Sequence, residues 1–309
     1  MRMLNATTGG YLHAGYARSL AQFGTPRLLP CSGGWILERP IPGTTRRDAT
    51  GCYPLFSCRN WQRLADDMEE LHGRVVSLAV VTDPFGDYEP ADLERSFNHV
   101  VLPFKEHYCV DLSRPLDTFV CSHHRRYARK ALETVQVECA KRPGEWLDDW
   151  VRLYDVLVRR HGISGIAAFS RAAFEKQFRV PGLVVFRACH RATTVGMLLW
   201  YVQGPVAYYH LGAYDPVGYE LRASFALFLC AIEYFAQVGL DWLALGGGAG
   251  LRAEATDGLA RFKRGWSTGT RTAYFCGHVF DSAAYAELAD ARCPSGTTYF
   301  PAYRQGEFG

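Results

Sequence analysis

The sequence predicts an α/β (α+β) protein of two domains, in which mixed, mostly antiparallel sheets are flanked by helices. Three observations lead to this prediction. The chain has 309 residues, enough for two domains at about 100–200 residues each. Hydrophobic residues make up 48% of the chain and charged residues 21%, which is ordinary globular usage. Predicted strands and helices alternate along the chain, and no internal repeat is visible.

The net charge of +3 is too small to indicate a nucleic-acid or membrane partner from bulk electrostatics. No apolar run reaches the roughly 18 residues that span a bilayer, and the first residues lack the apolar region of a secretory signal. We therefore expect a cytoplasmic protein without a membrane span, whose ten cysteines are thiols. Their irregular spacing implies no metal, and a zinc at Cys52, Cys58 and His72 is the weaker alternative.

The first part of the chain is predicted to form a small α/β unit. Residues 1–24 are small and polar, so we expect them to lie loosely on the surface. Asn60 is a good N-cap, and the apolar spacing after it predicts a helix that ends at Gly73. The β-branched run Val75–Val81 predicts a buried strand. The remaining elements expected here are strand-like pieces at Arg27–Pro30 and Trp35–Glu38, a helix at Asp92–His99 and a strand at Val100–Phe104.

The second part alternates regularly between helices and strands. We expect helices at Arg125–Ala131, Trp146–His161, Arg171–Phe178, Glu220–Val238 and Asp257–Lys263, and strands at Val135–Cys139, Leu183–Cys189, Val195–Val202, Val206–Leu211, Trp242–Leu245 and Thr272–Val279. The helix Glu220–Val238 is apolar nearly all round, which predicts deep burial. From residue 183 the order is β-β-β-α-β-α-β, with antiparallel hairpins first and one right-handed βαβ crossover later.

This order matches the core of the GCN5-related N-acetyltransferase (GNAT) fold, and several phrases resemble the Fem-type peptidyl transferases and their acetyltransferase-like relatives. The phrases are FKEHYCVDLS (Phe104–Ser113), SHHRRYARKAL (Ser122–Leu132), YYHLGAYD (Tyr208–Asp215), LGGG (Leu245–Gly248) and GLARFKRGW (Gly258–Trp266). The resemblance covers roughly residues 60–280. It implies two tandem GNAT-like domains, here 1–115 and 116–309, and transfer of an acyl or aminoacyl group to an amine.

The resemblance further implies direct attack of an amine on a carbonyl held between two parallel strands that splay apart. These strands would be Val206–Leu211 and Trp242–Leu245. Such a site must hold both reactants, stabilise an oxyanion and remove a proton from the amine. The backbone N–H groups of Leu211, Gly212 and Ala213 could serve the oxyanion, and an ordinary strand end is the equal alternative.

The turn after the first of these strands is where the resemblance places a donor's phosphates, because free N–H groups and a helix dipole favour an anion. Users of acetyl-CoA carry an Arg/Gln-x-x-Gly-x-Gly/Ala pattern there. This chain has PVGYELRA, with Gly218 as its one glycine and with Glu220, which would repel a pyrophosphate. Arg222 is either a phosphate contact or a surface cation. The donor is therefore open between acyl-CoA and aminoacyl-tRNA, which Fem-type enzymes use.

Lys263 matches the lysine that Fem-type sequences carry near the reacting groups. It could stabilise an oxyanion or bind a substrate phosphate, and the alternative is a solvated lysine. His210, Tyr214 and Asp215 are the candidate proton-transfer groups, since a histidine with a pKa of about 6.5 suits general-base work. A packed core histidine is the alternative for His210. Strand alternation puts Tyr208, a candidate substrate contact, on the same face as His210.

Other residues are candidates for ligand contact. Gly246 and Gly247 would let the backbone approach a ligand at a strand end, unless they form a plain turn. By the resemblance, Lys105 and His107 would line the acceptor side. The last candidates lie in a helix without acidic residues that could hold a phosphorylated or nucleic-acid substrate or be a solvated face, and they are Arg125 and Arg126, beside Arg129 and Lys130.

The function predicted is an N-acyltransferase that moves an acyl or aminoacyl group to the amine of a small molecule or peptide. The alternative is a catalytically silent GNAT-like ligand-binding module, because fold alone does not determine function. No GxSxG motif occurs and no cysteine–histidine pairing is visible in the spacing. We therefore expect no covalent intermediate.

Overall fold

The computed structural model describes residues 9–248, 258–293 and 296–307. Its strands are β1 (Thr25–Leu28), β2 (Trp35–Pro40), β3 (Arg47–Gly51), β4 (Ser77–Val81), β5 (Val100–Asp111), β6 (Gln136–Cys139), β7 (Leu183–His190), β8 (Thr193–Gln203), β9 (Val206–Tyr214), β10 (Trp242–Gly246) and β11 (Gly269–Val279). Its α-helices are α1 (Ala14–Ser19), α2 (Leu64–Leu71), α3 (Pro90–Ser96), α4 (Leu116–Phe119), α5 (Ser122–Leu132), α6 (Leu147–His161), α7 (Arg171–Gln177), α8 (Pro216–Glu220), α9 (Ala223–Gln237), α10 (Gly258–Arg264) and α11 (Ser282–Arg292). The mixed α/β class predicted from the sequence is confirmed.

The described residues form two compact units, each assembled from several stretches of chain. The first unit comprises residues 9–13, 105–163, 170–248 and 258–271, and the second comprises 14–104, 164–169, 272–293 and 296–307. Strand β5 begins in the second unit and ends in the first. The two units are discontinuous in sequence, so their boundaries differ in kind from a linear division at residue 115. That division stays a prediction.

The first unit contains a mostly antiparallel sheet in the strand order β5-β10-β9-β8-β7-β6. The pairs β6–β7, β7–β8, β8–β9 and β10–β5 are antiparallel. Strands β9 and β10 pair in parallel, because the chain returns through α8 and α9 between them. The predicted antiparallel hairpins and the later βαβ connection are therefore present.

Helix α9 packs on the sheet of this unit, and its apolar residues lie in the core. Leu227, Phe228 and Phe235 are essentially inaccessible to solvent. Each large apolar side chain buried in this way contributes about 1.5–3 kcal/mol. The same helix packs against α5 on its other side. The deep burial predicted from its composition is confirmed.

The bounds predicted for that helix were wrong at its start. Instead of one helix from Glu220 to Val238, the chain forms the short α8, then α9 from Ala223. Arg222 between them has a φ of 57°, in the left-handed region. A non-glycine residue in that conformation interrupts the hydrogen bonds of a continuous helix.

The second unit contains a sheet in the order β1-β2-β3-β4-β11, with β3 and β4 parallel and the other pairs antiparallel. Strand β3 was not predicted, because its inward residue Asp48 is an acid. That carboxylate is fully buried and accepts hydrogen bonds from Arg304, at 2.8 and 2.9 Å, and from Arg39, at 3.3 Å. Arginine partners from distant sequence make this burial possible.

The expectation that residues 1–24 lie loosely on the surface is wrong for the described part. Tyr11 in the first unit, and Tyr16 and Leu20 in the second, are all buried. The Tyr16 hydroxyl donates to the carbonyl oxygen of Tyr53 at 2.5 Å. Because small residues separate these side chains, the apolar face of the helix was not recognised from the sequence. Among the helices in the described ranges, none is long and apolar enough to cross a membrane.

We expect Gly218→Ala to destabilise the protein, because a Cβ at Gly218 would overlap the backbone carbonyl of Val195. Overpacking of this kind costs about 1–3 kcal/mol. The measurement is the free energy of unfolding in urea, with Gly144→Ala as the control, since a Cβ at Gly144 meets nothing within 4 Å. Equal stabilities of the two variants would contradict the close contact.

Candidate functional site

The parallel strands β9 and β10 pair over a short length and then part. Paired residues are Trp242 with Val206, Leu243 with Ala207 and Ala244 with Tyr208. Beyond this point β10 ends at Gly246, whereas β9 continues to Tyr214 beside β8. The edge of β9 that faced β10 is thus left without that partner. The sequence predicted this gap at Leu211 and Leu245, and the pairing ends slightly earlier.

A β-bulge on each strand accompanies the parting. On β9, Tyr209 faces Trp200 and Leu211 faces Leu199, so His210 is an extra residue. On β10, the register against β5 shifts between Ala244 and Gly246. Bulges bend a strand and interrupt its pairing. These irregularities occur where β9 and β10 separate, and they open the end of the parallel pair.

Lys263 of helix α10 reaches the end of β10. Its Nζ donates a hydrogen bond of 2.6 Å to the carbonyl oxygen of Gly247, and it lies 5.5 Å from the ring centre of Tyr209. The residue is 5% exposed. The solvated lysine considered as the alternative is therefore not what the structure shows. Gly246, with a φ of 77°, adopts a left-handed conformation that glycine adopts without strain.

Lys105 and His107, on β5, lie at the same place. The Lys105 Nζ is 3.4 Å from the carbonyl oxygen of Gly248. A Cβ on Gly247 would lie 3.2 Å from Lys105 Cδ and 3.5 Å from His107 Cδ2, so glycine lets both side chains approach the turn. We call Lys105, His107, Gly246, Gly247 and Lys263 the strand-end cluster. Of the glycine run that follows β10, Ala249 and Gly250 lie outside the described residues.

His107 is a neutral base held beside two ammonium groups. Burial, with the charges of Lys263 and Lys105, lowers the pKa of His107 to about 3. The side chain is 8% exposed, and its Nδ1 has no hydrogen-bond partner among the described residues. A neutral imidazole can accept a hydrogen bond from an incoming amine, and the ammonium of Lys263 can stabilise a developing oxyanion.

His210, a predicted proton-transfer group, lies on the other face of β9. Its Nδ1 is 3.2 Å from the Tyr11 hydroxyl, and its Nε2 is 3.2 Å from Gln177 Oε1. The ring of Tyr208 also packs against Tyr11, as the alternation predicted, whereas Tyr209 faces Lys263. Burial lowers the pKa of His210 to about 3. This geometry favours the packed core histidine, and the structure does not bring His210 to the strand-end cluster.

Tyr214 and Asp215, the other predicted proton-transfer groups, hold the chain where it leaves β9. The Tyr214 ring packs edge-on against Tyr219, and burial raises its pKa well above the ordinary value. The Asp215 carboxylate accepts the backbone N–H of Gly218 at 2.8 Å and so caps α8. It also lies 3.7 Å from the guanidinium of Arg152. These contacts give both residues structural roles, and no contact joins them to the strand-end cluster in the described chain.

At the turn after β9, where the sequence predicted that a donor's phosphates bind, side chains of the chain itself make the contacts. The Asp215 carboxylate takes an N–H at the start of α8, where a pyrophosphate would bind. The guanidinium of Arg222 lies 3.9 Å from the ring centre of Tyr127, in cation–π geometry. Leu211, Gly212 and Ala213 continue β9 in register with β8, so only the opposite edge of that strand faces the gap.

Helix α5 presents a basic surface, as the sequence predicted. A hollow of about 520 Å³ is lined by Ser122, Arg125, Arg126, Arg129, Lys130 and Glu133. Arg125 is half-buried and donates to the backbone oxygen of Asp117 at 3.3 Å, whereas Arg126, Arg129 and Lys130 are exposed. We call these four cations the α5 basic face.

Cys121 and His124 form a pair that was not predicted from the sequence. The Cys121 Sγ lies 2.9 Å from His124 Nδ1. The interpretation that no cysteine–histidine pairing is visible in the spacing is therefore wrong. The available signal was the spacing of three residues at a helix start, which brings both side chains to one side of the first turn. Across the described ranges, no group of three or more His, Cys, Asp or Glu side chains is arranged to hold a metal.

Comparison with known proteins finds a matching domain family and several similar folds. Residues 121–264 match the acetyltransferase (GNAT) domain family. The fold is similar to that of FemX, with a TM-score of 0.67 and 13% identity over 92% of this chain and 96% of that one. It is also similar to a C-terminal domain (DUF2156) assigned to a lysylphosphatidylglycerol synthetase of Agrobacterium fabrum, with a TM-score of 0.62 and 15% identity over 89% and 90% of the two chains. A comparison with curated proteins finds no match.

A further similar structure is L-PGS from Bacillus licheniformis, with a TM-score of 0.54 and 16% identity over 87% of this chain and 92% of that one. Residues 121–264 thus match a GNAT acetyltransferase domain, which supports a general transferase function. The chain as a whole has a fold similar to that of FemX.

The neutral His107 makes stability pH-dependent. An unfolded histidine binds a proton below a pKa of about 6.5, whereas the folded one does so only near 3, so the unfolding free energy falls as the pH falls through this window. Each such imidazole removes about 1.4 kcal/mol per pH unit there. We expect His107→Gln to show a shallower loss of stability between pH 6.5 and pH 4.5 than the native chain.

The measurement is urea denaturation at a series of pH values. His210→Gln serves as the comparison, because burial lowers the pKa of His210 by a similar amount at a place apart from the strand-end cluster. Each variant should remove part of the slope. An identical slope in the native chain and in His107→Gln would contradict a neutral His107.

Proposed function

We propose that this chain transfers an aminoacyl group from aminoacyl-tRNA to the amine of a small-molecule or peptide acceptor. The observation that carries the proposal is the buried Lys263 ammonium at the end of the parallel strand pair, beside the neutral His107. It places a positive charge and a hydrogen-bond acceptor where the GNAT-type fold parts its strands. An attack by an amine on a carbonyl is assisted by both groups.

The choice of donor rests on the turn after β9. A CoA pyrophosphate needs free N–H groups at the helix start, and here the Asp215 carboxylate accepts one of them. A second negative group in that place would be repelled. The one glycine of the turn, Gly218, packs against Val195 rather than opening space for a ligand. An aminoacyl ester needs no pyrophosphate at this turn, so these contacts favour aminoacyl-tRNA over acyl-CoA.

In the proposed step, the acceptor amine forms a bond to the carbonyl carbon of the aminoacyl ester. The ester C–O bond breaks, and the tRNA ribose leaves as an alcohol. His107 Nδ1 accepts a hydrogen bond from the attacking amine, and the proton that the amine loses ends on the ribose oxygen. The Lys263 ammonium stabilises the negative charge that develops on the carbonyl oxygen. Lys105 adds a second positive charge on the acceptor side.

The α5 basic face supplies contacts for the donor. Arg126, Arg129 and Lys130 are exposed on one helix that carries no acidic residue. Arginine and lysine on a helix of this kind suit the closely spaced phosphates of a nucleic-acid stem. The low net charge of the whole chain is compatible with a contact limited to this face. By name, one of the similar structures belongs to a synthetase of lysylphosphatidylglycerol, an aminoacylated lipid, which supports an aminoacyl donor.

We expect Lys263→Met to reduce turnover by about 10²–10³, because a comparable loss follows removal of one oxyanion donor. Binding of the donor should change little. The assay is transfer of a radiolabelled amino acid from charged tRNA to an acceptor amine, followed by single-turnover kinetics. Lys141→Met is the matched control, since Lys141 is an exposed lysine outside the cluster. Unchanged turnover in Lys263→Met would refute the catalytic role.

We expect binding of charged tRNA to weaken as salt rises, and the double variant Arg126→Gln/Arg129→Gln to weaken it further with a shallower salt slope. Removing one side chain that neutralises a phosphate reduces that slope by about 0.9. Fluorescence anisotropy at several salt concentrations measures both quantities. The control is Arg59→Gln/Arg74→Gln, which removes two exposed arginines from the second unit. Equal slopes in the native chain and in the α5 variant would contradict a role for this face.

Calorimetric titration with acetyl-CoA separates the donors. No heat at millimolar acetyl-CoA is the expected result. Saturable binding in the micromolar range would overturn the aminoacyl-tRNA proposal in favour of an acyl-CoA enzyme. Binding of charged tRNA without transfer to any amine would instead favour the silent binding module.

A further inference from the structure

Cys121 and His124 form a pair outside the strand-end cluster and without a part in the proposed transfer step. Cys121 immediately precedes helix α5 and is exposed. Its Sγ lies 2.9 Å from Nδ1 of His124. The pair thus combines an accessible sulfur with an imidazole in direct contact.

The second ring nitrogen fixes the tautomer of His124. Its Nε2 lies 2.9 Å from the backbone oxygen of Phe262, and a carbonyl oxygen only accepts hydrogen bonds. Nε2 therefore carries the proton, which leaves the lone pair on Nδ1 facing the Cys121 thiol. This is the arrangement of a nucleophile, a base and a group that orients the base, with a peptide carbonyl as the third member.

The imidazole is held firmly in this orientation. His124 is 6% exposed and lies among the rings of Phe225, Phe262 and Trp266. Gly265 lies against the ring so closely that no Cβ would fit. Burial, opposed by the hydrogen bond to Phe262 and assisted by the neighbouring His123, lowers the pKa of His124. At neutral pH the ring is therefore uncharged and able to take a proton from sulfur.

We propose that Cys121 is a nucleophilic thiol with His124 as its base, and that it is a modification site for small electrophiles, with peroxides as the physiological class. The thiol proton moves to Nδ1, and the thiolate attacks one peroxide oxygen. The O–O bond breaks, sulfur is oxidised to sulfenic acid, and the departing hydroxide takes the proton from the imidazolium to give water. The balance is one thiol and one hydrogen peroxide to one sulfenic acid and one water.

The modification would act on helix α10. The backbone N–H of Cys121 donates to the oxygen of Gly265 at 3.1 Å, and His124 holds the oxygen of Phe262. These two contacts bracket Lys263 along the chain. Breaking the sulfur contact to His124 would thus disturb the segment that positions the lysine. This consequence for turnover rests on the proposed function, whereas the reactivity of the thiol does not.

The test measures the reactivity of each cysteine in the intact folded protein. Iodoacetamide at low concentration is followed over time by peptide mass spectrometry, and hydrogen peroxide with a sulfenic-acid trap is used in parallel. The control thiol is Cys293, which donates to the backbone oxygen of Ala302 at 3.1 Å and is only partly exposed. We expect Cys121 to react at least about tenfold faster than Cys293, in line with general-base assistance. Similar rates would overturn the proposal.

Two variants test whether Cys121 and His124 are responsible for the fast reaction with the labelling reagent. In His124→Gln the side-chain amide can still donate to the Phe262 oxygen but cannot take a proton, so Cys121 should slow at least about tenfold while Cys293 keeps its rate. Cys121→Ser should abolish the fast phase of thiol labelling. An unchanged Cys121 rate in His124→Gln, or a fast phase that survives in Cys121→Ser, would overturn the proposal. Because labelling needs no donor or acceptor, its outcome is independent of the transferase assay.

Discussion

The parting of β9 and β10 is the constraint on which the candidate site depends. If two parallel strands stayed paired along their whole length, their facing backbone N–H and C=O groups would be hydrogen-bonded and no gap would remain between them. Here the pairing stops after Ala244 and Tyr208, and irregularities on both strands keep it from resuming. The turn Gly246–Gly248 then carries its carbonyl oxygens to the lysines of two different elements, β5 and α10. The chemistry of the site is therefore set by a defect in a sheet.

The hydrogen bonds of Lys105 and Lys263 to this turn bear on the electrostatics of the site. The buried ammonium of Lys263 and the half-buried ammonium of Lys105 would be costly without hydrogen-bond acceptors. Backbone oxygens of Gly247 and Gly248 accept hydrogen bonds from these two lysines. Burial, together with the charges of Lys263 and Lys105, lowers the pKa of His107 and keeps its imidazole neutral. A site of this kind presents positive charge and a neutral base side by side.

The elements of this fold were predicted well wherever periodicity and caps were strong. Asn60 caps the 3₁₀ turn Trp61–Arg63 that leads into α2, at the start predicted for that helix, and α9 is buried as its composition indicated. The prediction of Lys105, His107 and Lys263 as site residues depended on family resemblance, and the structure places them together. The sequence could not show that the His210 side chain contacts Tyr11. Alternation along a strand does not indicate which residues pack against each face. Nor did spacing show that Asp48 is buried, because its arginine partners lie far along the chain.

The interleaving of the two units along the chain has a consequence for biosynthesis. Strand β4 pairs with β11, for example Val81 with Phe275, so this edge of β4 lacks its partner until synthesis has reached β11. Contacts this distant in sequence slow folding, because a long loop must close before they form. A nascent chain would therefore expose the β4 edge until β11 has been made. Fragments that stop at residue 264, where the matched GNAT domain ends, would keep that exposed edge permanently and should be prone to aggregate.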